Sequence, residues 1–201
     1  MRLYYYPGAC SLAPHIVLRE AKYKFDLDRV DLAAKKTEGG GDYLAVNPKG
    51  YVPALQLDDG TVLTEVAVII QYLADQKPRR GLAPKSRTPE RYKLMEWLNF
   101  TASEIHKGLG DFFNPKMTPE WREARLERLG KRFDYLEKSL GTQQHLMGEF
   151  SIADAYLFAV LNWTNLHKID VSSWPNIKAF MARMAERPAV RKAMKSEGLG
   201  K

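Results

Sequence analysis

Strand-like patterning stops before residue 80, and helical patterning alone fills the rest of the chain. That switch limits the fold more than any single motif. Leu3-Tyr4-Tyr5-Tyr6 is a short aromatic strand signal, ended by Pro7-Gly8. Ser11 to Lys22 carries apolar residues at helical spacing, with Pro14 near the first turn, where a missing N–H costs little. Phe25 to Val30 alternates with period two and predicts a second strand. Lys35 to Asp42 is polar and glycine-rich, as a loop would be. Val52–Leu57 and Thr61–Thr64 flank Asp58-Asp59-Gly60, which predicts a hairpin. Glu65 to Ala74 reads as an apolar helix. The order β-α-β, loop, β-β-α predicts a small α/β domain with a mixed sheet over residues 1–80.

Residues 81–88 are a basic linker rich in Pro and Gly, and residues 89–201 read as an all-α helical domain. Thr88-Pro89-Glu90 and Thr118-Pro119-Glu120 are helix starts of one kind: capping threonine, proline at the first helical position, then an acid. Leu129, Phe133, Leu136 and Leu140 share a helical face, and Ser151 with Asp154 has the spacing of a capping box.

The formal net charge of +7 raises the question of nucleic acid. Residues 1–80 carry 11 Lys and Arg against 10 Asp and Glu, so the excess lies in the helical part. There it alternates with acids, as in Glu120-Trp121-Arg122-Glu123, the pattern of a solvated helix face. No nucleic-acid partner is expected. A single cysteine excludes an internal disulfide and a cysteine-rich zinc site, and no metal is expected. No run reaches the roughly 18 apolar residues of a membrane span. The start, RLYYYPG, lacks a charged-then-apolar leader, so a cytoplasmic location is expected.

The lone Cys10 lies between a strand end and a helix start. Unpaired amides at that helix end would stabilise a thiolate, while cysteine elsewhere is often a small core residue. The corner position, between Gly8 and Ser11, favours a functional thiol. Tyr5 and Ser11 are candidate hydrogen-bond donors to a thiolate; their alternatives are core packing and helix capping. A cis peptide at Val52-Pro53 would leave Val52 with free N–H and C=O groups for a peptide-like ligand; a trans proline would only mark an edge strand. Asn99, Ser103 and His106 fall at i, i+4 and i+7, a polar stripe that periodicity alone assigns to an exposed face.

Tyr-Pro-Gly-Ala-Cys-Ser, Asn-Pro-Lys-Gly-x-Val-Pro-Ala-Leu, Leu-Thr-Glu, Ile-x-Gln-Tyr-Leu-Ala-Asp and Ser-Ile-Ala-Asp-Ala-Tyr-Leu-Phe occur in this order. The set spans essentially the whole chain and resembles the cytosolic glutathione transferases, most of all their bacterial beta class. The resemblance implies a thioredoxin-like N-terminal domain followed by a helical domain, in a homodimer. It implies that Cys10 lies beside glutathione's sulfur and that Val52, before cis Pro53, pairs its backbone with the cysteinyl part. Lys35 would reach the glycine carboxylate, and Glu65 with Val66 would hold the γ-glutamyl end. Many members have serine after that glutamate; Val66 offers only its N–H, which implies looser glutathione binding. Asn99, Ser103 and Glu104 would assist, some across the dimer, with His106 near the thiol. Lys107, Phe113 and Trp163 are electrophile-pocket candidates, beside Phe112 and Tyr156.

The expected activity is a glutathione transferase of the detoxifying kind, joining the glutathione thiolate to small apolar electrophiles with Cys10 and His106 at the centre. One alternative is a glutathione-dependent thiol-disulfide enzyme using Cys10. The other is a non-catalytic ligand- or partner-binding protein of the same fold.

Overall fold

The computed structural model describes residues 1–199. Two compact units emerge, one from residues 1–83 together with the chain from Arg187, the other from residues 84–186.

In the first unit, β1 (Arg2–Tyr5), α1 (Leu12–Glu20), β2 (Asp26–Asp31), β3 (Lys36–Thr37), β4 (Ala54–Gln56), β5 (Val62–Thr64) and α2 (Val66–Gln76) follow in sequence. The sheet order is β3-β2-β1-β4-β5. β1 and β2 are parallel, and the other neighbours are antiparallel, so the sheet is mixed as predicted. Leu3, Tyr4 and Tyr5 are all buried, which fits a central strand covered on both faces. α1 and α2 pack together. Tyr4, Val30, Tyr43, Val52 and Ala54 form a separate buried cluster. The predicted loop over 35–42 contains β3, whose two residues pair with Val30 and Asp31. So short and polar a strand leaves no periodic signal.

The second unit contains α3 (Pro89–Phe100), a π-helical stretch (Thr101–His106), α4 (Lys107–Gly110), α5 (Pro119–Leu140), α6 (Ile152–Leu161), α7 (Trp163–Leu166) and α8 (Pro175–Glu186). Thr88 and Thr118 accept from the amides of Arg91 and Trp121, each at 3.2 Å, as the Thr-Pro-Glu starts predict. The predicted seam of α5 is buried. Every residue of α6 is buried, and α6 packs against α3, the π-helical stretch and α8; a helix apolar all round belongs at the centre. Its capping box is present: Asp154 accepts from the Ser151 amide at 2.8 Å and hydroxyl at 2.9 Å, and from the Leu146 amide at 2.9 Å. No described helix is long and apolar enough to cross a membrane.

The last helix, α9 (Pro188–Ser196), departs from the expectation that residues 89–201 form one helical domain. α9 packs on α1 in the first unit. Arg187 Nε meets Glu20 at 2.9 Å, and Arg19 donates to the Ser196 hydroxyl at 2.7 Å. The physical reason is a buried polar pair: His15 and Glu197 have fully buried side chains and meet at 2.7 Å. Arg19 Nε donates to His15 Nε2 at 2.9 Å. Nε2 therefore accepts, and Nδ1 carries the proton given to Glu197. A helical pattern shows that α9 exists; the partner of Glu197 is visible only in three dimensions.

Candidate glutathione site

Cys10 stands just before α1, buried to 8 % exposure. Its Sγ donates to the Val52 carbonyl oxygen at 3.4 Å. Burial pushes the thiol up to about 12, against the opposing pull of the Cys10 and Ser11 amides, while the Glu65 charge raises it further. The expected thiolate is thus corrected. The Cys10 and Ser11 amides ahead of the helix favour the anion, but desolvation outweighs them. Cys10 is a neutral thiol at pH 7.

Ser11 is fully buried and does not cap α1. Its hydroxyl donates to the Tyr6 carbonyl and accepts from the Tyr6 amide, both at 3.2 Å. Its one proton is therefore used to fasten the β1–α1 corner. Tyr5 lies against His15, ring centres 6.3 Å apart, while its neighbour Tyr4 joins the cluster containing Val52. Strand alternation explains this: adjacent side chains take opposite faces. Burial, then the Glu197 carboxylate, raise the Tyr5 phenol. Neither hydroxyl contacts Cys10 among the described hydrogen bonds. The loop ahead of Cys10 is held from elsewhere, by Glu197 accepting the Gly8 amide at 3.0 Å.

The Val52-Pro53 peptide is cis. The Val52 carbonyl is not free, since it accepts from Cys10. The loop before it is built by Asn47. The Gly50 amide donates to the Asn47 carbonyl at 2.8 Å across Pro48 and Lys49, a turn with proline at its second position. Gly50 has φ +69°, which suits glycine. Asn47 Nδ2 and the Tyr43 hydroxyl both donate to the Tyr51 carbonyl, at 2.7 and 3.0 Å. Lys35 Nζ donates to the Gly50 carbonyl at 2.7 Å, bracing the same loop.

Glu65 takes φ +70° immediately before α2, a conformation rare outside glycine. Its Oε1 meets Lys49 Nζ at 2.5 Å and accepts from the Tyr51 hydroxyl at 3.0 Å. Lys49 also donates to Thr64 Oγ1 at 3.0 Å. The Glu65 contact, chiefly, raises the Lys49 ammonium. Val66 opens α2 with its side chain buried.

In the second unit, Ser103 Oγ donates back to the Asn99 carbonyl at 2.9 Å. Glu104 meets Arg132 Nε at 2.5 Å and lies 3.7 Å from Arg128; the Arg132 hydrogen bond chiefly holds its carboxyl below the usual range. Lys107 is exposed. His106 Nδ1 meets the Tyr156 hydroxyl at 2.7 Å, and its ring lies 5.0 Å from Trp163. Phe113 meets Trp163 edge-on at 5.1 Å and is half exposed. So His106, Tyr156, Trp163 and Phe113 form one aromatic group. The wider π turn over Thr101–His106 breaks the regular α spacing assumed for Asn99, Ser103 and His106.

Two family models match, described as the glutathione S-transferase N-terminal domain over residues 8–76 and C-terminal domain over residues 100–188. Glutathione S-transferase GstA of Escherichia coli O157:H7 is 50% identical over 200 residues, covering 99% of this chain and 100% of that one. The chain belongs to the glutathione S-transferase family. Among solved structures, the beta class glutathione S-transferase of Sphingomonas chungbukensis superposes with TM-score 0.95 at 48% identity, covering 99% of this chain and 100% of that one. A sphingomonad glutathione S-transferase complexed with glutathione gives TM-score 0.95 at 45% identity, covering 100% of both chains. Within this transferase fold the sequence reading overlooked Lys49 and Tyr51. Both lie inside the quoted Asn-Pro-Lys-Gly-x-Val-Pro motif, but only the folded chain brings them to Glu65. Among the described residues, no cluster of three or more His, Cys, Asp or Glu is placed to hold a metal ion.

Proposed function

We propose that this transferase joins the sulfur of glutathione to small apolar electrophiles, acting as a cytoplasmic homodimer in a detoxifying role. The observation that carries the reading is the corner where the neutral Cys10 thiol meets the Val52 carbonyl beside cis Pro53. A thiol that stays protonated is a poor nucleophile but a serviceable donor. In this reading glutathione's thiol first loses its proton to solvent; the thiolate lone pair then forms the new C–S bond while the displaced group leaves with its own bonding pair. Before that attack Cys10 S–H turns from Val52 toward the thiolate sulfur and steadies its charge. The Val52 carbonyl so released accepts from the cysteinyl amide of glutathione. Lys35 serves the glycine carboxylate, and Glu65 with the Val66 amide serves the γ-glutamyl end. Asn99, Ser103, His106 and Lys107 assist from the second unit, and Phe113 with Trp163 offers apolar surface to the electrophile. Glu104, already held by Arg132 and Arg128, fixes α5 to the π-helical stretch.

The test is Cys10→Ala, assayed for conjugation of a dinitrohalobenzene and for exchange with a glutathionylated disulfide. Conjugation should persist at a level lowered about ten- to hundredfold, the scale of one lost hydrogen bond to a charged group, while exchange through Cys10 disappears. Loss of both activities would favour the thiol-disulfide alternative. A wild-type chain that neither binds nor turns over glutathione would favour a binding protein of this fold. Val66→Ser should tighten glutathione in a calorimetric titration, because it restores a hydroxyl donor at the γ-glutamyl end.

A further inference from the structure

The Lys49–Glu65 pair is a zwitterion fixed at the surface, and it sits where α2 begins. Lys49 is positioned twice. Its amide donates to Asn47 Oδ1 at 3.2 Å, and its Nζ donates to Thr64 Oγ1 and to Glu65. The side chain therefore spans from the Asn47 turn to the start of α2. An ammonium has three donors, and those two bonds leave one over. The group stays 45 % exposed, so a ligand can reach it. Tyr51 braces the other partner through its bond to Glu65, and its ring lies 5.7 Å from Lys49 Nζ. Val66 adds no polar side-chain atom at this place.

We propose that Lys49 is a specificity-determining residue that binds the α-carboxylate of the γ-glutamyl group through its remaining N–H. The proposal rests on the reading above that Glu65 and Val66 face that end of glutathione. The γ-glutamyl head is itself a zwitterion, with an α-ammonium and an α-carboxylate on one carbon. Laid against the pair, its ammonium meets Glu65 and its carboxylate meets Lys49, each charge opposite its counterpart. The Val66 amide supplies a second donor to the carboxylate. A cation from the Asn47 turn thus adds a donor to the one that the Val66 amide supplies. Tyr51 is a positioning residue here, acting through Glu65.

The experiment compares wild type with Lys49→Met in calorimetric titrations of two ligands, glutathione and 4-aminobutyryl-Cys-Gly. The second ligand keeps the amino group and lacks only the α-carboxylate. Lys49→Met should weaken glutathione tenfold or more, leave the second ligand unchanged or tighter, and retain the wild-type melting temperature within a few degrees. Lys49→Arg should recover part of the glutathione affinity. An equal loss for both ligands would reduce Lys49 to a prop for Glu65 and overturn the proposal, as would undiminished glutathione binding. If wild type binds neither ligand, the functional reading itself fails, an outcome distinct from both.

Discussion

At Cys10 two physical effects oppose each other, and their sizes decide the chemistry. The Cys10 and Ser11 amides favour a thiolate; burial disfavours it by more, and the thiol rises from 9.0 to about 12. A group that keeps its proton longer when folded stabilises the fold while both states are protonated. That stabilisation is lost as pH climbs from about 9, where the unfolded thiol ionises, toward 12. Thiolate absorbance near 240 nm should therefore be missing from the folded protein at pH 9, and alkylation of Cys10 should be slow there. Stability should fall between pH 9 and 12 less steeply in Cys10→Ala than in wild type, as alkaline urea titrations would show. A thiolate signal already present at pH 7 would contradict the burial argument. Glu65 shows the same competition in backbone form. Its left-handed φ of +70° is a local cost of order 1–3 kcal/mol, held in place by the contacts from Lys49 and Tyr51.

Among the helical elements, α6 depends on its first turn. Asp154 is fully buried and accepts three hydrogen bonds, two of them from backbone amides. Burial raises its carboxyl, and the Leu146 and Ser151 amides pull the other way. Asp154→Ala would leave those amides unsatisfied beside a helix packed on every side. The expected loss is about 2–4 kcal/mol, above an ordinary capping substitution because the site is dry. Asp154→Asn should retain part of it. Chemical denaturation of both variants measures the difference. α4 makes a second element-level demand. A Cβ at Gly108 would stand 2.7 Å from Leu129 Cδ2 on α5, so Gly108→Ala should overpack that contact. The expected cost is about 1–3 kcal/mol, partly offset by roughly 1 kcal/mol of helix propensity. Adding Leu129→Ala should destabilise the protein less than the two single changes sum to, in a double-mutant cycle.

For the molecule as a whole, the return of the chain end is decisive. Glu197 ties α1 through His15 and the Cys10 loop through the Gly8 amide, far from either in sequence. Glu197→Ala would take the acceptor from the fully buried His15 N–H and from the part-buried Gly8 amide, at about 1–3 kcal/mol for each group left unsatisfied. At about 2–4 °C per kcal/mol for a chain this long, the melting temperature should fall by on the order of 10 °C. Calorimetry on wild type, Glu197→Gln and Glu197→Ala should rank them in that order; a shift of less than about 2 °C for Glu197→Ala would remove the tether from the list of what holds the first unit.

The sequence alone determined the mixed α/β unit, the helical remainder, the α5 seam and the Ser151–Asp154 box. It also displayed the ordered motifs of the glutathione transferases. These rest on local period, capping chemistry and turn residues, which act over a few positions and survive being read as a string. Tertiary structure decided the protonation of Cys10, since burial is a property of the whole neighbourhood. It decided that α9 belongs with α1, that a π turn interrupts the Asn99–His106 stripe, and that Lys49 and Tyr51 reach Glu65. Each of those depends on groups far apart along the chain or on a backbone deviation without a side-chain pattern, and only folding brings such groups within range of one another.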